Sequence, residues 1–542
     1  MTDSSGIPTM RRSLPYYLPL LLVIVFFSLI RWHFRYIPLE RDEGEYAYAG
    51  QLMLHGIPPY TLIYSMKLPG TFAAYAAILL VFGQTAKGVH LGLLAVNAVT
   101  TFLIFLLGKR LFGPLAGLVA GSSYALLSTS PSVIGFAGHA THFVVLCAVS
   151  GVLLLLNAAE SRRTWLYFLS GLFLGLAFLM KQPGIMFAAF GTLYLVKAER
   201  QTWLHQRREF GIKIALYACG VLLPFAITCL LLASAGAFGN FWFWTFLYAR
   251  QYATTIGIRE GLQTLRLILP KVVLPEVMIW LLAGIGFSAI LWNRAARSQW
   301  FFLTTFFLCS AAAVCPGLYF RQHYFVLLLP AVALLAGVAV YCGTASLKQH
   351  LRSRVWALLP LVVFIAAFAG TLYQQRNYLF KAGPFAAARM IYGSNPFPEA
   401  DEVAYYIKNH SAKDDRVAVL GSEPEIYFYA DRPSATGYIY TYGLMEEQPY
   451  AGEMQKQMIS EIESVQPEYV VLIDVASSFG RLPSSNKHIF DWIDSYLPAH
   501  YDLVGIVDLL GYSKYVWGDA AKTYHPQSNQ VVKVFKKKPA WE

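Results

Sequence analysis

Three carboxylates, Asp42, Glu43 and Glu45, stand directly after an apolar stretch long enough to cross a bilayer, and a solitary Lys67 follows them in "YSMKLPG". An ionised carboxylate within hydrogen-bond reach of a substrate is a general base. An isolated ammonium beside a membrane is a point-charge ligand for a lipid phosphate. Each has a plainer explanation: an acidic turn can cap a helix N-terminus, and a lysine can snorkel. Further cations recur in separate segments: Lys181 in "GLAFLMKQPG", Arg250 in "FWFWTFLYARQYA", and Arg321 with His323 in "PGLYFRQHYFVLLLP". Singly, each fits an interface anchor. Converging on one side of one bundle, they make a functional site the default hypothesis. On a helix Asp42, Glu45 and Tyr46 share one face; Tyr64, Tyr252 and Tyr324 complete the candidate substrate contacts. His139 and His142 in "GHATHF" are three apart, which suits two metal ligands on one helical face. Two ligands fall short of a site, which needs three or four. The chain has no Gly-rich phosphate loop, Walker motif or GxSxG elbow.

These residues must be positioned by a membrane bundle. Of 542 residues, 56% are hydrophobic and 14% charged, whereas a soluble domain carries roughly a quarter charged residues. The formal charge of +12 then reflects basic loops at a cytoplasmic face rather than nucleic-acid binding. Eleven stretches approach the roughly 20 apolar residues of a span, near 14–36, 88–108, 114–132, 142–159, 165–180, 183–197, 212–235, 269–292, 300–316, 323–342 and 355–373. The N-terminal one has no small-residue cleavage site and reads as a retained span. Basic residues at Arg11 and Arg12, Lys109 and Arg110, Arg162 and Arg163, Lys197 to Arg208, Arg294 and Arg297, and Lys348 to Arg354 fall in alternate loops. The positive-inside rule assigns those loops to the cytoplasm. The first outer loop (about 38–70), the 132–141 turn, "KQPG", 236–268 and "PGLYFRQ" then share the opposite face, with the C-terminus. Arg31, Arg35, Arg41 and Lys67 violate the rule, which suggests an anionic ligand there. "GIPPY" and Pro69 break the first outer loop into short helices, expected to lie at the membrane surface. The six cysteines lack CxxC or zinc-ligand spacing and read as small buried hydrophobes.

Beyond residue 373 polar and charged residues return. "RVAVLG" (416–421) and "EYVVLID" (468–474) read as buried strands, and "PEADEVAYYIKNH" and "EMQKQMISEIESV" as amphipathic helices. The expected organisation is a polytopic α-helical membrane domain, 1–373, followed by an α/β extracytoplasmic domain, 374–542.

The pieces "RDEGEYAYAGQLMLHGIPPY" with "KLPG", "GLFLGLAFLMKQPG" and "LYFRQHYFVLLLPAVALLAG" occur in an order that resembles the GT-C glycosyltransferases. The nearest branch is the bacterial protein mannosyltransferase and aminoarabinose transferase group. The resemblance covers roughly 14–373; "EPEIYFYADRPSATGY" in the C-terminal region is similar in kind but less specific. It implies a GT-C bundle of about eleven transmembrane helices. It also implies an inverting transfer of a sugar from a polyprenyl-phosphate donor to a lipid, glycan or protein acceptor, in the cell (inner) membrane. By the same resemblance Asp42, with Glu43 beside it, orients or deprotonates the acceptor. Lys67 contacts the donor phosphate, and Arg321 and His323 add phosphate or sugar contacts alongside Lys181 and Arg250. Two positions depart from the pattern. Met66 stands where relatives often carry an acid, and His142 where they carry Asp or Glu at the start of the fourth span. Those acids help hold a divalent metal in such enzymes, so His142 acts in the acid's place as ligand or base, or the acceptor differs.

Three other classes compete. A transporter or flippase of an anionic lipid-linked substrate would show repeated halves or paired broken helices, which the sequence lacks. A glycan polymerase or ligase concentrates its polar residues in a large later loop. A receptor-like role leaves the first loop unexplained.

Overall fold

The computed structural model describes residues 9–161, 163–351 and 355–539, with side chains from residue 14. Arg162, Arg352 and Arg354 lie outside the described residues, and Arg11 and Arg12 outside the described side chains. Each of the eleven expected spans falls on a helix. Among the described residues seven helices are long and apolar enough to cross a membrane: Leu14–His33, Ala86–Phe112, Ala140–Glu160, Arg207–Ser234, Ile258–Trp292, Leu329–His350 and Trp356–Gln374. The other four expected spans are the shorter helices Pro114–Leu127, Trp165–Met180, Ile185–Ala198 and Trp300–Ala312. Gly70–Phe82 is a further short apolar helix. It starts at Pro69 and stops at Gly83, whose φ of 91° suits glycine.

The first loop departs from a surface-lying arrangement. Its helix, Arg41–Leu54, begins with a capping box in which the Glu40 side chain accepts from the Glu43 amide and the Glu43 side chain accepts from the Glu40 amide. The helix is buried from Glu43 to Leu52, held between the bundle and the C-terminal domain. Leu39, Tyr46, Tyr48 and Leu52 share one apolar core with Val417, Tyr427 and Val471. A Cβ on Gly44 would lie 2.6 Å from the Glu425 amide nitrogen, so this close approach admits only glycine. The Tyr48 hydroxyl donates to Ser434 Oγ at 3.0 Å and accepts from the Ser434 amide at 2.7 Å.

The C-terminal domain carries a five-stranded sheet, β1 (Val417–Leu420), β2 (Tyr469–Asp474), β3 (Tyr501–Asp508), β4 (Lys514–Trp517) and β5 (Val531–Lys537), in the order β1-β2-β5-β3-β4. Only β1 and β2 are parallel. A parallel pair needs a crossover, and the Ala451–Val465 helix lies within it. Both strands and both helices read from the sequence are present.

Candidate active site

At the end of the bundle that carries the C-terminal domain, the first loop, the Lys181 turn, the 244–253 segment, the 313–327 loop and residues 438–446 enclose a cavity of about 420 Å³. These are segments that loop charge places on one face. Asp42 lines it. Its Oδ1 lies 2.7 Å from Lys67 Nζ, and its Oδ2 lies 3.5 Å from His139 Nδ1 and 3.9 Å from His323 Nε2. Lys67 Nζ also lies 2.5 Å from Glu45 Oε2. The Ser65 hydroxyl donates to the other Glu45 oxygen. The Lys67 ammonium is flanked by the rings of Tyr46 and Tyr440, at 4.6 and 5.4 Å. Burial, the largest influence on Asp42, pushes its carboxyl up; Lys67, His139 and His323 together outweigh burial and hold it well below the usual range. Burial lowers the Lys67 ammonium, but Asp42 and Glu45 raise it well above its ordinary value. Both members therefore stay charged at neutral pH.

Lys181 is in the opposite situation. Its Nζ lies 4.1 Å from the centroid of the Tyr324 ring. Among the described residues Lys181, Arg250 and Arg321 form no ion pair, although all three line the cavity. Burial, reinforced by Lys67 and Arg321 against the pull of Asp42, lowers Lys181 to about 7. Arg321 Nη2 donates to the Tyr252 hydroxyl at 3.3 Å, and Tyr252 stacks on Tyr319 at 4.6 Å. Tyr64 donates to Glu461 Oε1 at 3.0 Å and stacks on Trp244 at 5.3 Å.

Four expected residues do not line the cavity: Glu43, Tyr46, His139 and His142. Glu43 turns back into its capping box and accepts from the Gly138 amide at 2.6 Å, with His90 Nε2 3.2 Å from the same oxygen. His142 is completely buried in the Ala140–Glu160 helix, and neither ring nitrogen has a hydrogen-bond partner. The expected pairing of His139 with His142 is therefore replaced. The residues three apart do not converge; Asp42, His139 and His323 do, their ligand atoms all within 4.8 Å of one another. The two imidazoles stack at 3.9 Å. Both nitrogens of His139 are buried and make no hydrogen bond, although Nδ1 also lies 3.7 Å from Glu40 Oε1, and burial, then His139, lowers His323 well below its usual range. Two imidazoles and a carboxylate are a donor set that a divalent cation takes.

The sequence reading missed the wall contributed by the C-terminal domain. Tyr440 donates to the Arg41 carbonyl at 2.8 Å and its hydroxyl lies 3.4 Å from Asp42 Oδ1. Arg41 donates to the Tyr442 hydroxyl, to the Ser422 carbonyl at 2.5 Å and to Glu423 Oε1 at 3.0 Å. The signal was "YIYTYG": tyrosines at 438, 440 and 442 alternate, which on an extended chain turns them to one side. Tyr438, Tyr440 and Tyr442 all line the cavity. A Cβ on Gly437 would lie 2.6 Å from the Tyr64 ring, so glycine lets this strap close against the first loop.

Residues 67–229 match the family model described as dolichyl-phosphate-mannose-protein mannosyltransferase. No curated protein gives a significant match. The structure superposes on that of ArnT from Cupriavidus metallidurans bound to undecaprenyl phosphate with a TM-score of 0.59, at 15% identity over 95% of this chain and 97% of that one. The chain shares the GT-C glycosyltransferase fold. A second GT-C relative in structure is the oligosaccharyltransferase AglB from Archaeoglobus fulgidus in complex with an inhibitory peptide and a dolichol-phosphate. Its TM-score is 0.50, at 12% identity over 92% of this chain and 74% of that one. Both matches cover more than nine-tenths of this chain, so they reach beyond the bundle into the C-terminal domain.

Proposed function

We propose that the protein is an inverting glycosyltransferase that moves a sugar from a polyprenyl-phosphate donor to an acceptor outside the cytoplasm. In this reading residues 1–373 form the catalytic membrane domain and 374–542 an extracytoplasmic domain. The observation that carries it is the charge arrangement in one cavity: an Asp42 carboxylate held ionised, facing cations without carboxylate partners, Lys181, Arg250 and Arg321. The ArnT and AglB structures hold undecaprenyl phosphate and a dolichol-phosphate, a ligand class that suits those cations.

Asp42 accepts the proton of the acceptor hydroxyl or amine as that atom attacks the anomeric carbon. The bond from that carbon to the phosphate oxygen breaks, and the phosphate leaves with the electron pair. Lys181, Arg321 and Arg250 face the charge that grows on the leaving phosphate, where fixed cations act most strongly. Lys67, expected from the sequence at the phosphate, is instead engaged by Asp42 and Glu45 and keeps Asp42 ionised. Tyr64, Tyr252 and Tyr324 line the cavity and shape the sugar's surroundings, while Tyr46 backs the Lys67 ammonium. Asp42, His139 and His323 would hold a divalent cation, which when bound would add positive charge beside the phosphate.

The test is release of free polyprenyl phosphate from a panel of polyprenyl-phosphate sugars, with membrane extract as acceptor. Sugar-dependent release that falls by about a hundredfold or more in Asp42→Asn, the scale of a lost general base, is the expected result. Release that is unchanged in Asp42→Asn and Lys67→Ala would place the chemistry elsewhere.

A further inference from the structure

Buried charges outside the cavity converge on a single turn, residues 128–139, between the Pro114–Leu127 and Ala140–Glu160 helices. Arg31, at the end of the first span, donates to the Ser128 carbonyl at 2.8 Å and the Gly135 carbonyl at 2.9 Å. Glu276, at the break in the Ile258–Trp292 helix, accepts from the hydroxyls of Ser130 and Ser132 and from Gln375 Nε2. Glu43 accepts from the Gly138 amide, and the Tyr75 hydroxyl donates to the Gly138 carbonyl at 2.7 Å. Gln322 donates to the Ser132 carbonyl at 3.0 Å, tying the turn to the residue before His323.

Arg31 is 4% exposed, and Glu276 and Glu43 are each 1% exposed. Burying a charge is costly unless it is hydrogen-bonded, and a plain connection between two helices needs none. Ile134, inside the turn, has a φ of 55°, a region that β-branched residues avoid. Such strain persists only where the surroundings over-determine the backbone. The turn ends at His139, whose Nδ1 lies 3.5 Å from Asp42 Oδ2.

We propose that Arg31 and Glu276 are positioning residues: they fix the 128–139 turn and through it hold the His139 imidazole against Asp42 and His323. This rests on reading Asp42, His139 and His323 as part of the active site. It also accounts for Arg31 on the side where loop charge disfavours it: the guanidinium binds backbone carbonyls rather than a ligand.

The test follows the reactivity of His139 toward diethyl pyrocarbonate in the full-length protein in nanodiscs, read by peptide mass spectrometry. The variants are Arg31→Lys, Glu276→Gln and the milder Ser132→Ala. Alkylation of Cys342, fully buried in the Leu329–His350 helix, reports opening of the whole bundle. Losing a buried hydrogen bond to a charged group shifts a local opening equilibrium by about tenfold. His139 should therefore be modified about tenfold faster in Arg31→Lys and Glu276→Gln, and less so in Ser132→Ala, with Cys342 unchanged. Unchanged His139 reactivity, or equal acceleration of His139 and Cys342, would overturn the assignment. In the same variants kcat should fall while KM for the lipid donor holds, because Lys181, Arg250 and Arg321 are untouched; full kcat with a loosened His139 would also overturn it. If the wild type turns over no donor, glycosyl transfer is in question, but the labelling result still decides whether the turn is mounted on these two charges.

Discussion

Replacing Lys67 with Met removes the ammonium between Asp42 and Glu45, at 2.7 and 2.5 Å, and leaves two carboxylates facing each other across a buried site. A pair about 4 Å apart at an effective dielectric constant of about 20 is worth about 4 kcal/mol. Burial adds to this upward push, so without the ammonium the Asp42 carboxyl moves above the ordinary carboxylate range. In the wild type Asp42 is held below its ordinary value. Its contribution to stability is therefore complete above about pH 4, the value in an unfolded chain, and is lost as pH falls further. In Lys67→Met the order reverses. The folded state binds the extra proton, so stability falls as pH rises above about 4, the value in an unfolded chain. Thermal unfolding midpoints of the purified protein across about pH 3 to 8 read this directly, and the acid limb of turnover should move to higher pH. A variant whose midpoints keep the wild-type slope across that window, with an unmoved acid limb, would refute the claim that Lys67 sets the charge state of Asp42.

Lys181 is lowered to about 7, so an anionic phosphate must bind it together with a proton above that pH. Affinity for undecaprenyl phosphate should weaken by up to about tenfold per pH unit above 7, and Lys181→Met should bind weakly with no such dependence, as titration in nanodiscs would show. Arg41→Lys cannot span the Ser422 carbonyl, Tyr442 and Glu423 at once. With Glu423 fully buried, it should cost about 3 kcal/mol or more, seen as a lower unfolding midpoint and faster proteolysis between the bundle and the C-terminal domain. Gly44→Ala drives a methyl against the Glu425 backbone and should cost about 1–3 kcal/mol, measured the same way. If a divalent cation sits on Asp42, His139 and His323, chelation should lower turnover and zinc restore it in the wild type, while His142→Ala leaves metal content unchanged by elemental analysis.

What could be read from the sequence followed from local pattern. The apolar spans, the strands "RVAVLG" and "EYVVLID", and the cations at Lys181, Arg250 and Arg321 each announce themselves within a few residues, and loop charge alone was enough to gather their segments on one face. Pairings made across hundreds of residues were not legible. His139 is three residues from His142, yet its partners are Asp42 and His323, because the turn before the helix, rather than the helix face, sets its direction. Glu43 follows Asp42 by one residue, and a helix turns consecutive side chains well apart. One reaches the cavity; the other reaches Gly138.

The same geometry divides the cavity by sign. Asp42, Lys67 and Glu45 form a group with one net negative charge, tied down by Ser65 and bordered by Tyr440. Lys181, Arg250 and Arg321 supply positive charge from other elements that line the same space. A cavity built only to bind an anionic lipid would gain nothing from a carboxylate held ionised beside it, since like charges repel and burial already disfavours ionisation. A transferase needs both, a proton acceptor for the incoming group and cations for the outgoing phosphate. Glu45 then matters as much as Lys67: it lets the lysine keep Asp42 charged while the net charge of the group stays negative, so the phosphate is directed toward Lys181 and Arg321. Glu45→Gln should therefore weaken the division, raising affinity for undecaprenyl phosphate while lowering turnover. If binding and turnover instead change in the same direction, the separation of roles within the cavity is wrong.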